Sequence, residues 1–155
     1  MTLERQRVPF LEVEATPVTV SELTAVLSTF MAEGRTRIVV GHNLHSVTLL
    51  HSDPAFRSFY ERSDVVLIDG APVLWLWAKT GEEDDGREPV MDYRLGSTDW
   101  IPALGNVAGL ERIAVIGAGA VANAGAVARL REIVPGARVD GMPGEGWNKD
   151  VEEAA

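Results

Sequence analysis

The sequence predicts an α/β fold, a Rossmann-like, mostly parallel sheet with helices on both faces. Three observations carry that expectation. Short apolar runs rich in β-branched residues recur at 37–40, 65–68 and 112–116, and stretches of helical periodicity separate them. The run Val65-Val66-Leu67-Ile68 lacks polar alternation, as a strand covered on both faces should. Strand–helix alternation then requires crossover connections, and hence parallel pairing. At 155 residues, 46% apolar and 24% charged, the chain is long enough for one domain with a real core. Residues 1–17 read as an N-terminal extension or edge strand, and 18–155 as the α/β domain.

The elements follow in order. Thr19-Val20-Ser21-Glu22 has the form of a capping box. Leu23, Val26, Leu27, Phe30 and Met31 continue it as one apolar helical stripe, and Gly34 is a natural stop. The strand at 37–40 ends in Gly41-His42-Asn43, where Asn43 can cap a short helix through Leu50. Asp53-Pro54 opens another helix, with Phe56, Phe59 and Tyr60 expected on its inner face. The central strand ends in Asp69-Gly70, and residues 72–79 read as a buried helix. Residues 81–88 are acidic and irregular, and are expected to form a surface loop. A helix is expected from about Asp99 to Ala108, then a strand at 112–116. Gly117-Ala118-Gly119 leads into an alanine-rich helix that Pro135-Gly136 breaks, and Ala137-Arg138-Val139 is a short strand. The glycine-rich, acidic tail from Asp140 resembles the start of a further helix, so the domain reads as incomplete at its C-terminus.

The formal net charge of −9 argues against non-specific nucleic-acid binding, which depends on neutralising phosphates. It equally disfavours adsorption to anionic lipid. No apolar run approaches the ~20 residues that span a bilayer, and the N-terminus lacks the apolar segment of a signal peptide. Without cysteine there is no disulfide framework and no thiolate zinc site, which fits a reducing compartment. His42, His45 and His51 are irregularly spaced, and no metal site is expected.

Three features could carry chemistry. Gly117 to Ala122 matches the G-x-G-x-x-G/A fingerprint between a strand and a helix, with Asp140 about 20 residues on. Glycines there would let the backbone approach a diphosphate at a helix N-terminus; the same loop could serve a dinucleotide, another nucleotide, or only a tight turn. Asp69 stands at the carboxyl end of a buried strand, where open α/β sheets place ligands. It either caps the next helix or acts as a base in a dry, concave site, with Gly70 leaving room for a ligand. Arg94 either is solvated or forms a diphosphate clamp beside a helix start. Trp75 and Trp77 are expected in the core.

Four landmarks occur in a recognisable order: Gly41-His42-Asn43-Leu44-His45, Asp53-Pro54-Ala55-Phe56-Arg57, Asp64 to Pro72, and Arg94 to Asp99. With Ile116-Gly117 and Pro135-Gly136, they resemble the WecG/TagA/CpsF glycosyltransferase family over about residues 17–147. The resemblance implies a metal-independent, inverting transferase with no cofactor beyond its donor. Such an enzyme moves N-acetylmannosamine or a related sugar from a UDP donor to a sugar on undecaprenyl diphosphate, in cell-surface polysaccharide or teichoic acid synthesis. By position, Asp69 matches the family's base, Asn43 a substrate-binding asparagine, and Arg94 the motif's arginine. Gly117 and Gly119 match the loop on the nucleotide side.

The sequence departs from the family pattern in three places. Gly41 stands where threonine is usual, and Ser97 where glycine is usual. A later Pro-x-Gln-Glu segment and a basic membrane-docking tail do not occur within these residues. The expected location is cytoplasmic, peripheral at the inner face of the cell membrane, with docking left to such a tail or to a partner. Homo-oligomerisation stays open. Two rival readings stand beside this one: an NAD(P)- or flavin-dependent oxidoreductase built on Gly117 to Ala122, and a truncated, non-catalytic domain.

Overall fold

In the computed structural model, which describes residues 3–79 and 90–145, the run at 65–68 is enclosed along its whole length. The chain divides into two compact units, Met1–Ala103 and Leu104–Ala155. The fold class is α/β, built from short parallel and antiparallel two-stranded sheets.

The first unit opens with an antiparallel hairpin, β1 (Gln6–Val8) and β2 (Val13–Ala15). Helix α1 (Val20–Glu33) follows with the expected reciprocal cap between Thr19 and Glu22, and Gly34 ends it at φ 63°. That left-handed value is one glycine adopts without a Cβ penalty. Strand β3 (Val39–His42) starts two residues later than the apolar run indicated. Helices α2 (Leu44–Ser52) and α3 (Pro54–Glu61) are capped by Asn43 and Asp53. On α3 Tyr60 is buried, but Phe59 is 40% exposed, so the expected aromatic inner face reduces to part of the cluster.

Strand β4 (Val65–Ile68) pairs parallel with β3, with His42 opposite Ile68. Its side chains alternate between two cores. Ile68 packs with Val47, Val73, Leu74 and Trp77, whereas Val65 and Leu67 pack with Leu23, Val26 and Leu95. This two-sided burial is why the run contains no polar residue. The other edge of β4 is also used. Thr16 N donates to Val66 O at 2.7 Å, and Leu95 N donates to Ile68 O at 2.7 Å, with Arg94 in a parallel bridge to Ile68.

Helix α4 (Ala71–Ala78) buries Trp77 and leaves Trp75 66% exposed. The expectation that both tryptophans are core is therefore corrected: two residues along a helix is about 200°, which turns one indole outward. The acidic stretch 81–88 lies outside the described residues. The expected helix from Asp99 to Ala108 is instead a single α-turn, α5 (Ser97–Trp100), running into a 3₁₀ segment, Ile101–Asn106. Pro102, which lacks an amide proton, and Gly105 disfavour a continuous α-helix there.

The second unit contains β5 (Arg112–Ile116), α6 (Ala120–Ile133) and β6 (Arg138–Met142), with β5 and β6 parallel. This is one strand–helix–strand unit, as the alternation predicts. Strand β6 runs to Met142, beyond the expected end at Val139, and of the tail only residues up to 145 are described.

Candidate active site

Asp69 follows β4 directly, and its backbone N–H donates to His42 O at 3.0 Å, locking it beside the tip of β3. It does not cap the next helix. The N-cap of α4 is Gly70, and no side chain caps that end. Instead Asn43 Nδ2 donates to Asp69 Oδ2 at 3.2 Å.

Asn43 is itself held by a reciprocal cap. Its Oδ1 accepts from Ser46 N at 3.0 Å, and Ser46 Oγ accepts from Asn43 N at 2.9 Å. With its oxygen committed to Ser46, the amide must present its nitrogen to the carboxylate. Ser46 Oγ also donates to Asn43 O at 2.9 Å, so the 3.2 Å contact with His42 Nδ1 requires the proton on that ring nitrogen. The His42 ring is 1% exposed and stacks on Tyr60 at 4.6 Å, and burial pushes its pKa down to about 4. Tyr60 OH donates to Gly41 O at 2.6 Å, which ties the β3 tip to α3, and burial raises the phenol's pKa.

Glycines surround the acid. A Cβ on Gly96 would stand 2.9 Å from Asp69 Oδ1, and one on Gly41 would stand 3.1 Å from Asp69 Cβ. On Gly70 it would meet the Cα and Cβ of Asn43 at 3.4 Å. Oδ1 therefore lies over Gly96, in space that any side chain there would fill. Gly96 N donates to Asp99 Oδ2 at 2.9 Å, and Asp99 Oδ1 faces Arg94 Nη2 at 3.7 Å. Asn43, Asp69 and Arg94 thus occupy successive backbone tips: that of β3, that of β4, and the bridge beside Ile68. A cavity of about 390 Å³ adjoins Arg94 and Asp99.

Gly117 and Gly119 belong to the second unit. Gly117 has φ 98° and Ala118 φ 58°, so the loop needs the left-handed region at two successive positions. Asn123, buried on α6, steadies it by donating to Val115 O at 3.0 Å and Gly117 O at 2.9 Å. Gly119 is the N-cap of α6 and offers no side chain. Glu145 Oε1 accepts from Ala120 N at 2.8 Å, so a carboxylate of the chain itself meets the first turn. Asp140 is engaged by Arg138 Nε at 2.8 Å.

The profile of the Glycosyl transferase WecG/TagA/CpsF family matches residues 8–155. The chain belongs to that family. Membership in WecG/TagA/CpsF makes it a glycosyltransferase of cell-surface polysaccharide synthesis in class. No curated protein matches the sequence. Among the described residues no helix is long and apolar enough to cross a membrane, and no group of three or more His, Cys, Asp or Glu could hold a metal ion.

Three contributors beyond the expected site residues emerge. Ser46 orients Asn43, Asp99 ties Gly96 to Arg94, and Glu145 meets the α6 turn. The first has a local signal in the N-x-x-S spacing of a reciprocal cap. The second has one in the G-x-x-D spacing of residues 96–99. Glu145 has none, because its contact spans 25 positions.

Proposed function

We propose that this chain is an inverting glycosyltransferase in which Asp69 is the general base. Asp69 Oδ1 takes the proton of an acceptor hydroxyl while that oxygen attacks the anomeric carbon of a UDP-sugar. The bond from that carbon to the diphosphate oxygen breaks, its electron pair leaves with UDP, and the configuration inverts. Arg94 neutralises charge on the departing diphosphate without a metal ion, a role suited to a planar guanidinium. The donor sugar in this reading is N-acetylmannosamine or a relative, and the acceptor a sugar on undecaprenyl diphosphate.

The observation that supports this reading is the side-by-side set of Asn43, Asp69 and Arg94, with one carboxylate oxygen held and the other over Gly96. Positioned general bases contribute about 10²–10⁴-fold. Transfer from UDP-N-acetylmannosamine to a lipid-diphosphate-linked sugar should fall by that factor in Asp69→Asn, with UDP binding unchanged. Full activity in that variant rejects the role of Asp69.

A further inference from the structure

A second cavity, of about 370 Å³, lies among the β1–β2 hairpin, α2 and α3, and none of Asn43, Asp69 and Arg94 lines it. Its buried lining consists of Val13, His42, Tyr60 and Val66, with Leu50 half-buried beside them. The Tyr60 hydroxyl is already committed to Gly41 O. His42 is therefore the polar side chain that this lining leaves to a ligand. Among the described residues the ring's hydrogen-bond partner is Ser46 alone, through Nδ1, and the proton sits on that nitrogen. Nε2 is left as a bare acceptor. No fully enclosed side-chain polar atom among the described residues lacks a partner, so the ring's 1% exposure falls at Nε2. The space it opens onto is the cavity that His42 lines.

The character of a ligand follows from that nitrogen. An anion would bring only acceptors to a lone pair. A cation would meet the burial, and the repulsion from Arg5 and His51, that hold the ring's pKa at about 4. Water is poorly held where the buried lining offers one polar partner. A neutral N–H or O–H donor satisfies Nε2, and an apolar body carrying it covers Val13, Leu50 and Val66. Charges of both signs stay in solvent at the rim, on Glu12, Glu14, Arg57 and Glu61. The half-buried Arg5 is occupied by Ser63, donating from Nη2 to its O and Oγ. The volume is at the small end of ligand sites, which begin at about 300 Å³.

We infer that this cavity binds a small neutral molecule with one N–H or O–H donor on a rigid apolar body, of the phenol or indole kind. Rigidity limits the ordering cost of binding. The site shares no residue with the transferase set and does not depend on that reading.

The test uses the full chain with phenol, indole and anisole, the last lacking a donor. Calorimetry gives affinities, and nitrogen-15 NMR of the imidazole reports on Nε2. The parent chain should bind phenol and indole, and anisole about tenfold more weakly, the loss expected for one hydrogen bond. The Nε2 resonance of His42 should move with phenol and indole, and Nδ1 should stay protonated. Glu14→Trp, at an exposed position on β2, fills the cavity mouth and should abolish binding of all three. A parent chain that binds none of the probes overturns the site. So do equal affinities for phenol and anisole, an unmoved Nε2 resonance at saturating phenol, or phenol binding unchanged in Glu14→Trp.

Discussion

Asn43 donates its side-chain amide to Asp69 Oδ2 at 3.2 Å while its own Oδ1 accepts from Ser46 N at 3.0 Å. One side chain therefore caps α2 and aims the acid. Oδ2 carries that bond, while Oδ1 lies against Gly96.

These two duties separate by substitution. Asn43→Ser keeps an N-cap side chain but is too short to reach Asp69, whereas Asn43→Ala loses both contacts. Loss of the cap costs about 1 kcal/mol. Thermal unfolding should thus show Asn43→Ala destabilised and Asn43→Ser close to the parent. Transfer rates should fall at least about tenfold in both. A Ser variant with parental activity would mean that the amide contributes nothing to the acid.

Gly96 gives a cleaner test of the space beside Oδ1. Its φ of −79° suits alanine, so the backbone tolerates the change. The added Cβ would nevertheless stand 2.9 Å from Asp69 Oδ1 and must push the carboxylate aside. Misplacement of about 1 Å costs ~10²-fold in rate. The expected result for Gly96→Ala is therefore a steep loss of transfer with the unfolding midpoint nearly unchanged. Retained activity would show that Oδ1 is not the working oxygen.

What the sequence made legible follows from how local each interaction is. The Thr19–Glu22 and Asn43–Ser46 caps lie within one helical turn, and the buried run at 65–68 declares itself by lacking polar residues. Asp69 is readable as a candidate because it closes an apolar run, and Arg94 because it stands beside a helix start. Their adjacency was not, since the Arg94–Ile68 bridge joins residues 26 positions apart. Trp75 misled because composition marks α4 as buried while helical phase decides which indole is. Residues 97–106 misled because turn-breaking Pro102 and Gly105 compete with a sequence that otherwise favours helix.

His42 makes stability depend on pH in a defined window. Its folded pKa of about 4 lies below the ordinary 6.5, chiefly because burial disfavours the imidazolium, with Arg5 and His51 adding repulsion. Between those values the unfolded chain binds the proton and the folded chain does not. The contribution is thus complete above pH 6.5 and is lost as pH falls toward 4. Glu33 and Asp64, held low mainly by hydrogen bonds from Arg37 and from Ile38 N–H, titrate below their ordinary 4.5 and 3.8. Denaturant midpoints measured between pH 7 and 5 therefore isolate the histidine. They should fall in the parent chain and stay nearly flat in His42→Asn. Equal slopes would mean that the ring is not excluded from protonation.

The glycine loop supplies a test on the nucleotide side. Glu145 Oε1 accepts from Ala120 N at 2.8 Å, and a Cβ on Gly119 would stand 2.9 Å from the same oxygen. The carboxylate thus occupies the first turn of a 14-residue helix, where a diphosphate would gain from the same amides and the same dipole. Two anions cannot share that turn. If this loop receives the donor's diphosphate, removing the carboxylate relieves competition of about 0.3–1 kcal/mol. Glu145→Ala should then bind UDP about two- to fivefold more tightly. Glu145→Gln, which keeps an acceptor without the charge, should fall between. Uridine, which has no phosphate, should bind all three chains alike, because the effect acts through charge. Identical UDP affinities across the series would place the diphosphate elsewhere, leaving Glu145 as a cap that closes α6.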